Sequence, residues 1–587
     1  MIPRTLALRA FPALRWWPRV DRDSVRADAL AGVVGALLVL PQALAFATLA
    51  GLPPEHGLYA AIVPTMVAAL FGSSLHTVTG PTNALSLMTF AALVPLAAPG
   101  SPEYLRLAAT LALLTGACML LLGALRLGLL VNFISQPVIV GFTAGAGLLI
   151  LVHQVGPFTG APVPERASLV ETLQVGIAQP GQWRPAVLAV SAITVFVGLA
   201  LRRWRPHWPG VVVAMLAGTA LAHALRFVFG AQSVAIPMLD AVARSLPPFA
   251  LPHTGVEGLR ELSGVAVAVA IVSLTQSVSV ARALALRTGQ RIDGNQEFIG
   301  QGLANVAAGF FSAFPVGASA NRSGPNLEAG AVTPVSALFA GLFLAVIVLL
   351  FAPWVAVLPQ PAVAGVLVLA ALSLIDVARI RATLRINRPE GIVLLTTLVA
   401  TLLMRLEVAV LIGVAMSLVV YLNRTSRPLI RSLVPDARVP ERPFVTLDAT
   451  RRECPQAKLL SIEGSIYFGA VSHVESHFET LRELAGEQKH LLLLMRNVNF
   501  VDVAGVDLLR AEARRRLEMG GGLYLYGLRP EVRAFLQRGD ALATIGADRI
   551  YDAKHVAIAD IFSRLDPAIC RRCTARIFYE CQQYNEG

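Results

Sequence analysis

Two polar segments interrupt a series of long apolar runs between Val25 and Arg427. The first reads Val-Thr-Gly-Pro-Thr-Asn-Ala-Leu-Ser over residues 78–86, and the second reads Phe-Pro-Val-Gly-Ala-Ser-Ala-Asn-Arg-Ser over residues 314–323. Backbone in hydrocarbon must satisfy its own hydrogen bonds, so such interruptions persist only where protein or a cavity surrounds them. A pair of them, one in each half of a long membrane domain, indicates a transporter's substrate site. Because the second segment carries Arg322, the expected substrate is an anion.

Composition agrees with a membrane protein. Of the 587 residues, 55% are hydrophobic and only 15% are charged, and the mean hydropathy is +0.64, outside the usual range of soluble proteins. The net charge of +12 would suit nucleic acid, but the basic residues gather in short loops between apolar runs, as the positive-inside rule requires. They predict a plasma-membrane protein in contact with lipid, with a cytoplasmic N-terminal segment over 1–25, a cytoplasmic C-terminal region and no nucleic-acid partner.

The apolar runs predict a transmembrane domain over 26–428, since a spanning helix needs about 20 apolar residues. Fourteen spans can be placed, at 28–50, 57–72, 81–98, 105–128, 133–155, 184–203, 209–229, 264–284, 296–312, 319–330, 333–355, 359–376, 390–405 and 407–423. They form two sets of seven, and a repeated unit with an odd number of spans must be inverted in the membrane. The two interrupted segments are third in each set, so spans 3 and 10 are expected to be half-helices.

Beyond the last span the chain alternates short apolar strands with amphipathic helices. Strands are predicted at 459–463, 491–495 and 522–526, and helices at 470–485, 503–518 and 530–538. Strand–helix alternation of this kind makes a small α/β domain, here expected over 440–566 and in the cytoplasm. A tail over 567–587 follows.

Several motifs closely resemble those of the sulfate permease (SulP) anion transporters, relatives of the animal solute carrier 26 exchangers. The first-span pattern is Leu-Pro-Gln-Ala-Leu-Ala-Phe-Ala over 40–47, followed by Ala-Gly-Leu-Pro-Pro at 50–54 and Gly-Leu-Tyr at 57–59. The two polar segments are similar to the family's third- and tenth-span motifs. The α/β domain resembles the STAS domain of these transporters, with Asn-Phe-Val-Asp at 499–502 as its signature loop. The resemblance implies a seven-plus-seven inverted repeat, an elevator-like cycle and a homodimer.

A helix that begins at membrane depth exposes unpaired N–H groups and the positive end of its dipole. Two such N-termini are expected to face each other and to form an anion cradle, with Pro81, Thr82 and Asn83 on one side and Ser319 and Asn321 on the other. Pro81 suits a helix start because its missing N–H costs nothing there.

Arg322 is expected to add a full positive charge, because intramembrane charge is functional by default. The alternative is that it pairs with Glu328 or with backbone carbonyls and only braces the fold. The resemblance adds Gln42 and Phe46, one turn apart on the first span, as anion contacts, and it places Gln276 at the eighth-span site position. Gln42 has its own alternative, as a polar residue packed between helices.

The residues of the sequence leave the coupling mechanism open. Some bacterial relatives have a carboxylate where this chain has Gln42, and many have one where it has Gln276, so a proton-coupled mechanism is less secure here. Glu297 and Glu328 are the nearest acids and have the alternative of being helix-end charges. In the sodium-coupled bicarbonate members of the resembled family, an Asp in the eighth-span region is a cation ligand. Residues 264–281 contain no Asp, so the resemblance disfavours sodium coupling.

The tail contains three cysteines that we consider as metal ligands: Cys570, Cys573 and Cys581. Zinc normally takes four ligands, so Cys454, water or a second subunit would have to complete the set. Flanking arginines are expected to lower the thiol pKa values. The alternative is a disordered tail whose thiols have no role.

The sequence therefore predicts a secondary transporter of a small anion, with sulfate as the leading substrate by resemblance. Bicarbonate, chloride and dicarboxylates would suit the same cradle. The competing class is a non-transporting, membrane-anchored scaffold that acts through its STAS domain. An enzyme is not expected, because no nucleophile–base arrangement is visible in the membrane part, and no cofactor is required.

Overall fold

The computed structural model describes residues 11–128, 135–163, 171–174, 180–205, 208–239, 245–252 and 256–584. The chain divides into two compact units, Met1–Ser417 and Leu418–Gly587. The first unit is helical, and the second contains a six-stranded sheet.

In the described residues a helix occupies each of the fourteen apolar ranges predicted from the sequence. In chain order they are α1 Arg22–Leu49, α2 Pro54–Phe71, α3 Asn83–Leu93, α4 Pro102–Ala124, α5 Gln136–His153, α6 Pro185–Trp204, α7 Gly210–Phe229, α8 Val256–Thr288, α9 Gly294–Phe310, α10 Ala320–Glu328, α11 Val335–Phe351, α12 Gln360–Leu374, α13 Arg388–Leu403 and α14 Leu406–Thr425. Nine membrane-domain helical segments, all within the described ranges, are long and apolar enough to cross a membrane. By contrast, α3 and α10 have only 11 and 9 residues.

The helices of the first unit pack into two bundles. The first bundle contains α1–α4 and α8–α11, with α9 against α4 and α2 and with α11 against α1. The second bundle contains α5–α7 together with α12 and α13. Small residues permit close packing: a Cβ on Gly57 would lie 1.9 Å from the backbone oxygen of Ala43, so only glycine lets α2 approach α1 this closely.

Two very short strands join the halves of the first bundle. Strand β1, Thr79–Gly80, pairs antiparallel with β2, Gly317–Ala318. Each strand leads directly into a short helix, β1 into α3 and β2 into α10. The pairing satisfies backbone groups that the interrupted spans would otherwise leave unbonded inside the bundle.

The second unit has the strand order β4-β3-β5-β6-β7-β8. Its strands are β3 Leu429–Pro435, β4 Phe444–Thr446, β5 Ala457–Glu463, β6 His490–Leu494, β7 Gly522–Tyr526 and β8 Ile550–Tyr551. Strand β3 is antiparallel to both of its neighbours, and β5 to β8 run parallel. The sheet therefore includes residues that precede 440, the expected start of this domain. The sequence did not indicate β3 because this strand is half-exposed and has no strong apolar run.

The two faces of this sheet carry separate cores, since successive strand residues point to opposite sides. One face packs against helices α15 Phe468–Leu484, α16 Val503–Glu518 and α17 Pro530–Arg538. The other packs against α18 Lys554–Ser563 and the C-terminal tail, which contains α19 Pro567–Arg572. In the tail, Ile577 and Phe578 are buried. The described part of the tail is thus packed on the sheet, which contradicts the alternative of a disordered tail.

Candidate functional site

The strand pair brings the N-termini of α3 and α10 together. Thr79 lies opposite Ala318, and Gly80 opposite Gly317. Thr82 is the N-cap of α3 and Ser319 that of α10, and neither side chain bonds to the helix that it precedes. In α10 the N–H of Arg322 donates to the backbone oxygen of Ser319 at 3.2 Å. The other first-turn N–H groups of the two helices keep their donor capacity for a ligand. The hydroxyls of Thr82 and of Ser86, one turn into α3, are buried without a hydrogen-bond partner in the described chain.

Arg322 lies between these two helix starts with only 2% of its surface exposed. Its Nη2 donates to the backbone oxygen of Pro81 at 2.9 Å, whereas Nε and Nη1 have no partner among the described residues. Glu328 is not its counter-ion, because that carboxylate is exposed at the end of α10 and pairs with Arg287 at 3.8 Å. One carbonyl therefore orients the guanidinium, and its charge and two donor nitrogens remain available.

Gly80 is the residue that lets the guanidinium reach this position. Its φ is +153°, and a Cβ at that position would lie 2.6 Å from Nη1 of Arg322. Any side chain at 80 would occupy the volume of the arginine head group, so the glycine is required for a close approach as well as for its backbone conformation.

Polar side chains from helices α2 and α9 hold the strand pair in place. On the β1 side, Thr65 donates to the oxygen of Thr79 at 2.6 Å, and Gln301 donates to the Thr79 hydroxyl at 2.8 Å. On the β2 side, Asn305 exchanges two hydrogen bonds with Val316, at 2.9 and 3.0 Å. These supports were not predicted from the sequence, although polar residues inside apolar runs are a signal that could have indicated them.

Helix α8 contributes two serines to the site. Ser273 donates to the oxygen of Val316 at 3.0 Å, and Ser277 accepts from the N–H of Ala318 at the same distance. Gln276 instead lines a small space of about 20 Å³ beside Phe142 and helix α14. The expected eighth-span contact thus points toward the second bundle, and the serines on the neighbouring face support β2.

The first-span residues lie on α1, which contacts both α3 and α10. Phe46 is 4% exposed and packs in the apolar core that also contains Ala84 and Leu85 of α3. Gln42 is half-buried, and its amide has no hydrogen-bond partner in the part of the chain that the structure describes. A free amide at this position remains able to donate to a ligand.

The two predicted asparagines differ in their surroundings. Asn83 is buried, and its amide reaches the backbone oxygen of Ala370 on α12 at 3.5 Å, which joins the two bundles. Asn321 is exposed. A cavity of about 320 Å³ lies between the bundles, lined by Leu87 and Phe90 of α3 and by Leu367 of α12. None of the predicted anion-contacting residues lines it.

The two acids considered for coupling occupy different environments. Glu297 is 2% exposed, and its carboxylate accepts from the N–H and hydroxyl of Ser73 at 3.0 Å and from the N–H of Ser74 at 3.3 Å. Glu297 therefore holds the loop that follows α2 in place through hydrogen bonds. Glu328 is exposed and paired with Arg287. Neither carboxylate contacts Arg322.

Three tail cysteines are the residues that the sequence predicts as metal ligands. Among the described residues no group of three His, Cys, Asp or Glu side chains is arranged to hold a metal ion, and this includes Cys570, Cys573 and Cys581. Cys570 and Cys581 pack with the buried Cys454 in the apolar core under the tail. Burial raises the pKa of Cys454 to about 11 and also raises the pKa of Cys570 and of Cys581. This direction is opposite to the lowering expected from the flanking arginines, because desolvation by burial is the largest influence at each of these thiols.

We expect Cys454 to be slow to alkylate. At pH 8 a thiol of pKa about 11 is only about 0.1% thiolate, against roughly a quarter for an ordinary cysteine. The iodoacetamide rate at Cys454, followed by peptide mass spectrometry, should lie about 100-fold below that of the urea-unfolded chain and should keep rising through pH 10. Equal rates in folded and unfolded protein at pH 8 would contradict a buried, protonated thiol.

Comparison with known proteins gives two family matches. Residues 25–397 match the model of the sulfate permease family, and residues 449–557 match that of the STAS domain. A probable sulfate transporter of Mycobacterium tuberculosis is 38% identical over 431 residues, which are 73% of this chain and 76% of that protein.

Solved structures with the same fold include the murine Solute Carrier 26 family member A9 anion transporter in its inward-facing state. Its TM-score is 0.86 at 21% identity, over 95% of each chain. The transmembrane domain of a cyanobacterial bicarbonate transporter has a TM-score of 0.60 at 24% identity, over 68% of this chain and 98% of that domain. At these identities the likeness shows a shared fold.

Proposed function

This chain belongs to the sulfate permease family, and from that premise we propose that it is a secondary transporter of a small anion, with sulfate as its first candidate substrate. The anion binds between the N-termini of α3 and α10. The relative from Mycobacterium tuberculosis that is named a probable sulfate transporter supports this substrate. We further propose that the protein lies in the plasma membrane with both termini in the cytoplasm, and that it is not an enzyme.

The observation that carries this proposal is the unpaired guanidinium of Arg322. Inserting an arginine at the centre of a bilayer costs about 2.5–3.5 kcal/mol. A single carbonyl at 2.9 Å does not neutralise the charge, and no carboxylate among the described residues pairs with it. A bound anion would supply both the counter-charge and acceptors for Nε and Nη1.

The remaining donors suit an oxyanion with several acceptor oxygens. Each of the two helix N-termini has free N–H groups and carries roughly half a positive charge. The unpartnered hydroxyls of Thr82 and Ser86 and the amide of Gln42 are neutral donors nearby. A tetrahedral dianion such as sulfate can accept from all of these at once, whereas chloride has no directed acceptor sites.

We propose that transport proceeds by an elevator-like movement of the first bundle against the second. All elements of the cradle except the α12 carbonyl contacted by Asn83 belong to the first bundle, so the anion would travel with it. The pairing of α1–α4 with α8–α11, and of α5–α7 with α12 and α13, is the grouping that a fourteen-span, seven-plus-seven inverted repeat produces. We propose a homodimer as the working unit.

Gln42→Glu should make transport depend on pH. The new carboxylate would repel a dianion when ionised and donate a hydrogen bond when protonated, so uptake should rise as pH falls below about 6 and be weaker than wild type above it. Uptake measured from pH 5 to 8 checks this, with Gln537→Glu as the control, because Gln537 is exposed on α17 of the second unit. An unchanged profile would remove Gln42 from the substrate contacts.

The proposal is tested by radiolabelled sulfate uptake into proteoliposomes, with and without a pH gradient. Bicarbonate, chloride and dicarboxylates serve as competitors and as counter-anions inside the vesicles. Saturable sulfate uptake supports the substrate, and its response to the gradient or to a counter-anion distinguishes symport from exchange.

Other outcomes reassign the function. If a competitor moves and sulfate does not, the cradle stands and the substrate changes to bicarbonate, chloride or a dicarboxylate. If folded protein moves no anion, the transporter proposal fails and the membrane-anchored STAS scaffold takes its place.

A further inference from the structure

A second cavity, of about 720 Å³, lies in the first unit away from the anion cradle. Its walls come from the N-terminal stretch around Arg15 and Arg19, the loop 72–76 after α2, the loop 288–293 before α9, and residues 331–332. None of the cradle residues lines it. It opens on the side of the N-terminal stretch, which is the cytoplasmic side under the proposed orientation.

The charges at this cavity are unbalanced. Arg15, Arg19 and Arg291 line it and are exposed, and none of them forms an ion pair with a carboxylate in the described part of the chain. The acid beside them, Asp293, accepts hydrogen bonds from the N–H groups of Asn295 and Gln296 at the start of α9. Three guanidinium groups thus face one carboxylate that is already engaged, which leaves a positive potential focused in a concave site.

Two buried polar groups in the wall lack partners. Trp16 is 4% exposed and His76 is 6% exposed, yet the indole Nε1 of Trp16 and Nδ1 of His76 have no hydrogen bond within the described residues. A buried donor without an acceptor is costly, and an indole N–H can only donate. The side-chain amide of Gln290, also in the wall, already has partners. It accepts from the N–H of Leu75 and donates to the oxygen of Ser73.

We propose that this cavity is a second anion site, which binds a phosphate monoester through Arg15, Arg19, Arg291 and the Trp16 indole. Guanidinium groups bind phosphate oxygens in a bidentate manner, and an indole N–H supplies a further donor. The volume exceeds that of a bare inorganic ion and lies in the range of small-molecule pockets, so the ligand carries an organic body. Its source is a soluble phosphorylated metabolite or a phosphate-bearing lipid headgroup.

The test separates this cavity from the cradle by using Arg322→Gln protein, in which the proposed transport site lacks its charge. Purified full-length protein is titrated calorimetrically with adenosine 5′-monophosphate and with inorganic phosphate. The nucleotide should bind the wild type and Arg322→Gln alike, and more tightly than phosphate does. Arg15→Gln with Arg291→Gln should weaken it on the order of 100-fold, about tenfold for each lost charge-assisted contact.

Arg381→Gln is the matched control, since Arg381 is exposed on the helix Val377–Ile386 in a different part of the unit. The lipid source is tested in nanodiscs with and without phosphatidic acid, by the melting temperature of the same variants. A melting-temperature increase that requires Arg15 and Arg291, without nucleotide binding, identifies a lipid headgroup. If neither probe depends on these arginines, or if all binding disappears with Arg322→Gln, the second site does not exist.

Discussion

Arg322→Gln should reduce sulfate uptake by on the order of 100-fold or more, while the protein still folds. The substitution keeps a polar, unbranched side chain with an amide donor, but it removes the charge that no described residue neutralises. Loss of one partner from a buried, hydrogen-bonded charge pair costs several kcal/mol, which sets this magnitude. Initial uptake rates in proteoliposomes, normalised to the amount of reconstituted protein, measure it.

The matched control is Arg287→Gln. Arg287 is an exposed arginine of α8 that pairs with Glu328, which lies on α10 like Arg322. That variant should transport like the wild type. Gel filtration and melting temperature should be nearly unchanged for both variants. Normal uptake by Arg322→Gln would mean that the arginine braces the fold through Pro81 and does not bind the anion.

Gly80→Ala should cause a loss of the same kind, of at least about tenfold, although it changes no charge. The new Cβ would lie 2.6 Å from Nη1 of Arg322, so the guanidinium must move away from the two helix starts. Overpacking of this sort costs typically 1–3 kcal/mol, and the positive φ adds strain for a residue with a side chain. Sulfate affinity, measured by the concentration dependence of uptake, should weaken together with the maximal rate.

Gly324→Ala provides the control for this substitution. Gly324 lies within α10, two residues after Arg322, and a Cβ there has no atom within 4 Å in the described structure. This variant should retain transport, and its stability should be equal or slightly higher, because alanine favours a helix over glycine. Equal losses in the two variants would indicate a general sensitivity of the segment and would not support a displaced arginine.

Much of the architecture follows from local pattern. All fourteen apolar ranges contain helices, and the strands at 459–463, 491–495 and 522–526 and the helices at 470–485, 503–518 and 530–538 match the structure to within a few residues. Apolar periodicity and length are local properties, so they can be recognised without knowing what packs where. Strands β3, β4 and β8 were not predicted, because they are short or half-exposed and show little apolar periodicity.

The sequence did not predict which face of a helix points at the candidate site. Gln276 and Ser277 are adjacent in sequence, yet only Ser277 reaches β2, since successive helical residues are turned by about 100°. The direction of the thiol pKa shifts in the tail could not be predicted from the sequence either. Its arginines are visible in the sequence, but the burial that raises the pKa values of Cys454, Cys570 and Cys581 comes from packing on the sheet.

The sequence by itself determined that two polar segments interrupt the apolar runs and that one of them carries an arginine, because Gly, Pro and polar residues stop a helix wherever it lies. It also carried the family motifs. Only the tertiary structure decided that Arg322 lies against Gly80 and that no described carboxylate neutralises it. These contacts join residues more than two hundred positions apart, and β1–β2 pairing creates them. Which donors stay without a partner is a property of the packed bundle, because it depends on what the neighbouring helices leave unsatisfied.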